Sequence, residues 1–233
     1  MYTLAYKKSN NGSSSNNISS FKINGNSLNS MKITPVENCV VDFGDGTKQA
    51  YTGNNSATYV SHNYSKSNTY TVQIIGNHSH FKAPENIIEI IQLSNSVTDC
   101  SSMFSYCLSL TEIPSTLIIP NSVTKCSNMF WTCTSLTTIP STLTIPNSVT
   151  DCSGMFYLCT SLKSDIGNIW PSTWNSTGTI NLENMFAECS KVVGTVPADK
   201  LWNSGKTFSS YCCFYNCTLL TNYTEIPDNW KSI

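Results

Sequence analysis

From Val97 onward the chain repeats itself. Residues 97–122 read VTDCSSMFSYCLSLTEIPSTLIIPNS and residues 123–148 read VTKCSNMFWTCTSLTTIPSTLTIPNS, identical at 19 of 26 positions without a gap. A third copy opens at Val149 with VTDCSGMFYLCTSL. Self-similarity at a fixed period marks a solenoid, in which each unit buries its apolar face only against its neighbours. Within a unit, Cys100, Met103, Phe104, Cys107 and Leu110 fall at offsets 0, 3, 4, 7 and 10, which predicts one face of a short helix. The remainder, Thr111 to Ser122, carries Ile113-Pro114 and Ile119-Pro120. Proline removes backbone donors and excludes helix there, so an extended strand-like return is expected. Each unit of about 26 residues therefore reads as a short helix plus an extended strand.

Later copies drift. Met185-Phe186 is followed by Cys189 and Val192, and the last copy has Cys213-Phe214 with Cys217 and Leu220 in phase. Between the third and fourth copies lies the insertion SDIGNIWPSTWNSTG, with Trp170 and Trp174. Seven of the eleven cysteines hold fixed places in the repeat: Cys100, Cys126 and Cys152, then Cys107, Cys133, Cys159 and Cys189. At a periodic core position cysteine behaves as a small buried hydrophobe, so a reduced, buried ladder is expected. Zinc is disfavoured, because a Cys-x6-Cys spacing is poor and no histidine lies nearby.

The bulk properties narrow the function classes. Charged residues make up 12% of the 233 and the net charge is −1, so there is no basic stripe for nucleic acid. No apolar run approaches the ~18 residues of a membrane span. The N-terminal MYTLAYKKSNNGSSSNN has no apolar h-region, so no secretory signal is expected in it; residues 1–17 read as a flexible anchor or tail.

Residues 18–82 carry strand signals. Phe21–Ile23, Met31–Thr34 and Cys39–Phe43 are short apolar pieces separated by Asn, Gly and Ser, and Tyr70, Val72 and Ile74 alternate as in a half-buried strand. Asp42-Phe43-Gly44-Asp45-Gly46-Thr47 supplies two aspartates and two glycines to a tight loop. DFGDGT, followed by His62-Asn63-Tyr64 and then Thr69-Tyr70-Thr71-Val72, resembles a PKD-type domain. That likeness implies an immunoglobulin-like β-sandwich and a spacer or adhesion role. Phe43 stands where that pattern often has Trp. The Asp42-Phe43-Gly44 triplet lacks every companion motif of a kinase, and Asp42 with Asp45 falls short of a calcium loop. His78-Ser79-His80 reads as a solvated loop, Gly76 as a break, and 81–86 (FKAPEN) as the boundary before a second domain at 83–233.

The recurring Met-Phe-x-x-Cys-x-x-Leu of residues 87–228 resembles the BspA-like leucine-rich repeat, also seen in mycoplasma surface lipoproteins. Cys100, Cys126 and Cys152 stand where that family usually has methionine, three residues before the Met-Phe pair. The fold class implied is thus mixed: an immunoglobulin-like sandwich followed by a helix-and-strand leucine-rich-repeat solenoid with caps. The implied function is adhesion or partner binding. No catalytic constellation accompanies it, since the cysteines are periodic and the histidines lie elsewhere, so no enzyme and no cofactor is expected. On the helical reading the residue two after each Met projects outward: Ser105, Trp131, Tyr157, Ala187 and Tyr215. Tyr106, Trp131, Tyr157, Trp170, Trp174 and Tyr215 are the candidate binding residues, because aromatics favour interfaces. The expectation is a phage virion component, a decoration, head fibre or receptor-binding appendage. It would be held through residues 1–17 by a capsid or tail protein and would contact a host-surface protein or glycan. A bacterial cell-surface adhesin or lipoprotein is the alternative. A homo-oligomer is compatible with either, although no heptad coiled coil dictates one.

Overall fold

Alternating apolar residues drive four strands between Ile18 and Gln92 into one antiparallel sheet. The computed structural model describes residues 17–52 and 56–232, apart from the side chains of residues 29, 30 and 36; the expected N-terminal anchor lies outside them but for Asn17. Strand β1 (Ile18–Asp42) pairs with β2 (Lys48–Tyr51), β3 (Thr58–Lys82) and β4 (Ile87–Gln92), all antiparallel. Both long strands bend at shifts of register and are used more than once. Ile75 of β3 pairs with Ile18 and with Val40, while Ile33 of β1 pairs with Thr58 and with Phe81. Phe21, Ile23, Met31, Ile33, Val41, Val60, Val72 and Ile74 are buried, as a period of two requires. This all-β part fits the immunoglobulin-like expectation. Gly76 does not end β3, which runs on to Lys82, and Ile87–Gln92 adds a strand to β1 beside the first repeat.

The helical part of the expected fold is overturned: no α-helix occurs among the described residues. From Cys100 to Cys107 the backbone makes overlapping four-residue turns instead, with Met103, Ser105 and Cys107 N–H donating to the carbonyls of Cys100, Ser102 and Phe104. Ser102 and Tyr106 have positive φ. They occupy the third position of the first and last turns, which makes those turns type II. The intervening N–H groups, of Cys100, Ser102, Phe104 and Tyr106, donate to Lys125, Ser127, Met129 and Trp131 of the next copy at 2.8–2.9 Å. An α-helix would use all these donors internally; here half of them join one coil to the next. The same alternation recurs at residues 126–133, 152–159 and 182–189; at 210–217 the three turns recur and Phe214 N–H donates onward, to Trp230 O. Back-to-back four-residue turns also place apolar side chains at offsets 0, 3, 4 and 7, so the helical pattern was a turn pattern. The later arm is held by further bonds between coils, such as Thr137 N–H to Thr111 O at 2.8 Å and Lys163 N–H to Thr137 O at 2.9 Å. A two-stranded parallel pair, β5 (Ile180–Asn181) with β6 (Phe208–Ser209), and isolated parallel bridges complete the ladder. Single 3-10 turns lie at Ala198–Lys200, Tyr223–Glu225 and Asp228–Trp230.

Inside the coils one aromatic ring sits on another. Phe104, Phe130, Phe156, Phe186 and Phe214 stack with centroids 5.2–6.1 Å apart and planes within 17° of parallel. The column runs on into Trp230 at the C-terminal end, 6.1 Å beyond Phe214, and into Phe81 and Phe21 of the sheet at 5.8 Å each. The end of β3 therefore serves as the coil before the first repeat. Ser79 O accepts from Thr98 and Asp99 N–H, and Ala83 N–H donates to Met103 O at 2.7 Å.

His78 lies in this junction. It is fully buried rather than in a solvated loop, its Nδ1 2.9 Å from Gly76 O and its Nε2 2.8 Å from Ser19 Oγ. Burial, with a smaller contribution from His80, depresses its pKa from 6.5 to about 4. The unfolded chain therefore binds the proton more tightly, so this contribution to stability is complete above the unfolded pKa and is lost as pH falls from 6.5 through 4. Denaturant unfolding between pH 7 and pH 4 should show a loss of up to about 3 kcal/mol from this group, with a flatter profile in His78→Gln. A second measurement separates turn from helix. Thr132 is β-branched at φ +58°, where glycine is easier, so Thr132→Gly should leave stability unchanged or raise it by up to about 1 kcal/mol. In a helix the same change would instead cost about 0.3 kcal/mol.

Candidate functional site

The turn arm presents its corners outward, and the expected binding residues divide there. Tyr106 is exposed, Trp131, Tyr157 and Tyr215 are half-buried, and Ser105 and Ala187 are buried. Ser105 is held by Lys82, whose Nζ donates to its Oγ at 3.0 Å. Two of the aromatics are brought together: the rings of Tyr106 and Trp131, on adjacent coils, lie 4.9 Å apart. The indole N–H of Trp131 is enclosed without a hydrogen-bond partner. Trp170 and Trp174 are interior. Trp170 packs edge-on against Phe186 and Phe214, and Trp174 packs against Phe208 and donates its N–H to Lys200 O at 2.9 Å.

The Asp42–Thr47 loop is an organised corner. Asp42 accepts from Gly44 N–H at 3.0 Å and pairs with Lys48 at 2.7 Å. Asp45 accepts from the Thr47 N–H and hydroxyl and meets His62 Nε2 at 2.8 Å. Hydrogen bonds from Thr47 and then His62 hold the Asp45 carboxyl down at about 2. His62 stacks on Phe43 at 4.3 Å, and Tyr64 donates its hydroxyl to Phe43 O at 3.0 Å. Gly44, at φ +80°, is required, since a Cβ there would lie 2.4 Å from Thr71 O. Both carboxylates are committed to the loop itself, and no group of three His, Cys, Asp or Glu side chains suited to a metal occurs among the described residues.

All eleven cysteines are free and buried. One column has a defined job: the thiols of Cys133, Cys159, Cys189 and Cys217 donate to the carbonyls of Phe104, Phe130, Phe156 and Phe186 at 2.9–3.1 Å. Burial raises the Cys217 and Cys213 thiols far above the ordinary thiol range, and Cys39 to about 11. These three are not poised as thiolate nucleophiles, whereas contacts with Cys100 and Cys152 shift Cys126 downward in a column that is itself buried.

The feature that sequence reasoning missed lies on the other arm. Two regular coils contribute Ile118, Asn121, Thr144 and Asn147, the insertion contributes Asn168 and Ser172, and Lys200 joins them. The result is an open cleft of about 410 Å³. Its rim carries Ile118, 77% exposed where the next copy has Thr144. A second depression of about 440 Å³, formed by Asn121, Asn147, Ser148 and Asn175, shares two asparagines with the first and extends it along the stack. The signal available in the sequence was the recurrent Pro-Asn step, Pro120-Asn121 and Pro146-Asn147, running into an insertion.

Comparison with known families bears on the repeats. The family described as "Mycoplasma protein of unknown function, DUF285" matches residues 55–144 and 98–230, the second match alone exceeding half the chain. The chain belongs to the DUF285 family. The two matches overlap over residues 98–144, the first regular coils, where self-similarity allows more than one register. No curated protein and no solved structure matches the chain. This DUF285 chain should titrate with no fast-reacting thiol while folded and with all eleven in denaturant. One rapidly labelled cysteine in the native protein would contradict the buried arrangement.

Proposed function

We propose that this protein is a non-enzymatic surface-display and adhesion protein whose stacked repeats bind a protein or a glycan. One observation carries the reading. The buried side chains recur from coil to coil, whereas the outward turn corner runs Tyr106, Thr132, Leu158, Glu188, Asn216, and the position before it varies from buried Ser105 and Ala187 to half-buried Trp131, Tyr157 and Tyr215. Packing fixes the first set and leaves the second free to differ, as in other repeat arrays that recognise partners. The finer likenesses belong to this proposal. A PKD-like sheet module would present a BspA-like array, and membership of a family described as mycoplasma proteins supports a bacterial cell-surface position over the virion position expected from sequence.

Intact cells of the source should bind antibody raised against the chain and lose the label after mild surface proteolysis. Excess soluble chain should reduce their attachment to a host surface several-fold. Label that appears only after lysis, or on phage particles, would overturn the cell-surface position; attachment indifferent to the soluble chain would overturn adhesion.

A further inference from the structure

We propose that the cleft beside the insertion binds a neutral oligosaccharide, an assignment that rests on the recognition role above and narrows it. The first ground is hydrogen-bonding capacity. Where asparagine is structural in this protein its amide is engaged: Asn222 bonds both the N–H and the carbonyl of Val196, and Asn86 donates to Asn24 O and Ser27 O. In the cleft the opposite holds. Among the described residues no hydrogen bond engages the side-chain amides of Asn121, Asn147 or Asn168, although the backbone carbonyls of Asn121 and Asn147 are bonded by Ser148 Oγ and Asn175 N–H. Each amide offers two donors and two lone pairs, so the cleft carries donors and acceptors in equal supply. That is the complement of a hydroxyl-rich chain, whose every group both donates and accepts.

Charge is the second ground. Among the described residues Lys200 is the one charged side chain at the cleft, and no carboxylate lines it. A single ammonium group does not select a polyanion, and a strongly cationic ligand would find no counter-charge. Shape is the third. The two depressions share Asn121 and Asn147 and together run across three successive coils. Neighbouring strands of a sheet lie about 4.8 Å apart, so the equivalent Asn121 and Asn147 stand one coil apart along the groove, with Asn175 on the next coil. A ligand with a repeating polar unit suits that better than a compact one. Apolar contact at the rim comes from Ile118, with the Pro146 and Pro171 rings buried beneath the lining. The aromatic or arginine anchors that dominate protein interfaces are absent from the lining, where Trp170 is 2% exposed.

The test applies the whole folded chain to an array of immobilised neutral oligosaccharides (β-linked glucose, galactose and N-acetylglucosamine oligomers) beside sialylated and sulfated ones. Titration calorimetry then measures the strongest ligands. Neutral oligosaccharides should bind, and Asn121→Ala and Asn147→Ala should each raise Kd by tenfold or more while leaving the melting curve in place. An array blank for neutral sugars, or binding indifferent to both substitutions, would sink the assignment. So would binding confined to acidic glycans and lost with Lys200→Ala. If the array is blank while soluble chain still competes for cell attachment, this assignment alone fails and the adhesion role stands. If competition fails as well, both fall.

Discussion

Each coil of the repeat gives half of its turn-arm amide protons to its neighbour, and the stack depends on that division. Cys100, Ser102, Phe104 and Tyr106 donate outward while Met103, Ser105 and Cys107 close turns within the coil. A coil taken alone would leave the outward set without partners, and buried amides left unpaired are costly. The phenylalanine column and the thiol-to-carbonyl bonds of the cysteines follow from this geometry. Once backbones are locked in register, equivalent side chains must lie directly over one another. A ring whose planar neighbour repeats at the coil spacing can stack, and a small sulfur donor can reach the carbonyl of the coil before it. The cysteines at these places thus combine apolar bulk with a weak donor in a way that alanine or valine would not.

The period and the interior of this stack were legible in the sequence, but its backbone conformation was not. Offsets of 0, 3, 4 and 7 are shared by a helix face and by consecutive four-residue turns, so side-chain periodicity alone does not separate them. The residues that do are Asn128, Gly154 and Asn184, equivalent to Ser102 and all at positive φ. Asn and Gly recurring at one position signal a left-handed conformation, and helices do not contain it. At the partner position the chain tolerates Tyr106, Thr132, Leu158 and Glu188, which carry no such signal, because the bonds to the next coil over-determine the backbone there. In the sheet, the DFGDGT loop and the alternation of β3 were readable from local chemistry. The burial of His78 was not, since it depends on Ser19 and on the first repeat, far away in sequence.

Candidate binding residues were legible for a related reason and only in part. Outwardness was inferred from a helical wheel, so Trp131 was placed on the surface by an angle that does not exist. It lies half-buried, its ring 4.9 Å from that of Tyr106 on the adjacent coil. Trp170 and Trp174 looked like a loop patch because their segment breaks the repeat. They are interior because the wider third coil has more volume to fill, and indole rings fill it against Phe186, Phe214 and Phe208. The same insertion supplies Asn168, Pro171 and Ser172 to the lining of the cleft. One insertion therefore repairs the core on its inner side and shapes a recess on its outer side.

A stack of this kind has two ends, each with ladder donors, acceptors and a ring face exposed. Both ends are closed by segments that are not repeats. Trp230 lies flat on Phe214 while its carbonyl accepts the Phe214 N–H at 2.7 Å, so a single-turn segment satisfies the ring and the ladder together. At the other end Phe81 meets Phe104 edge-on, and Ser79 and Ala83 take the ladder bonds. The sheet is thus the first layer of the array rather than a separate module on a tether, and Phe21 carries its core into the same column. Rigidity of this sort holds the turn corners and the asparagine-lined cleft at fixed positions relative to the sheet. A surface built on such a frame can change residue by residue on its outer faces without disturbing the bonds that hold the frame.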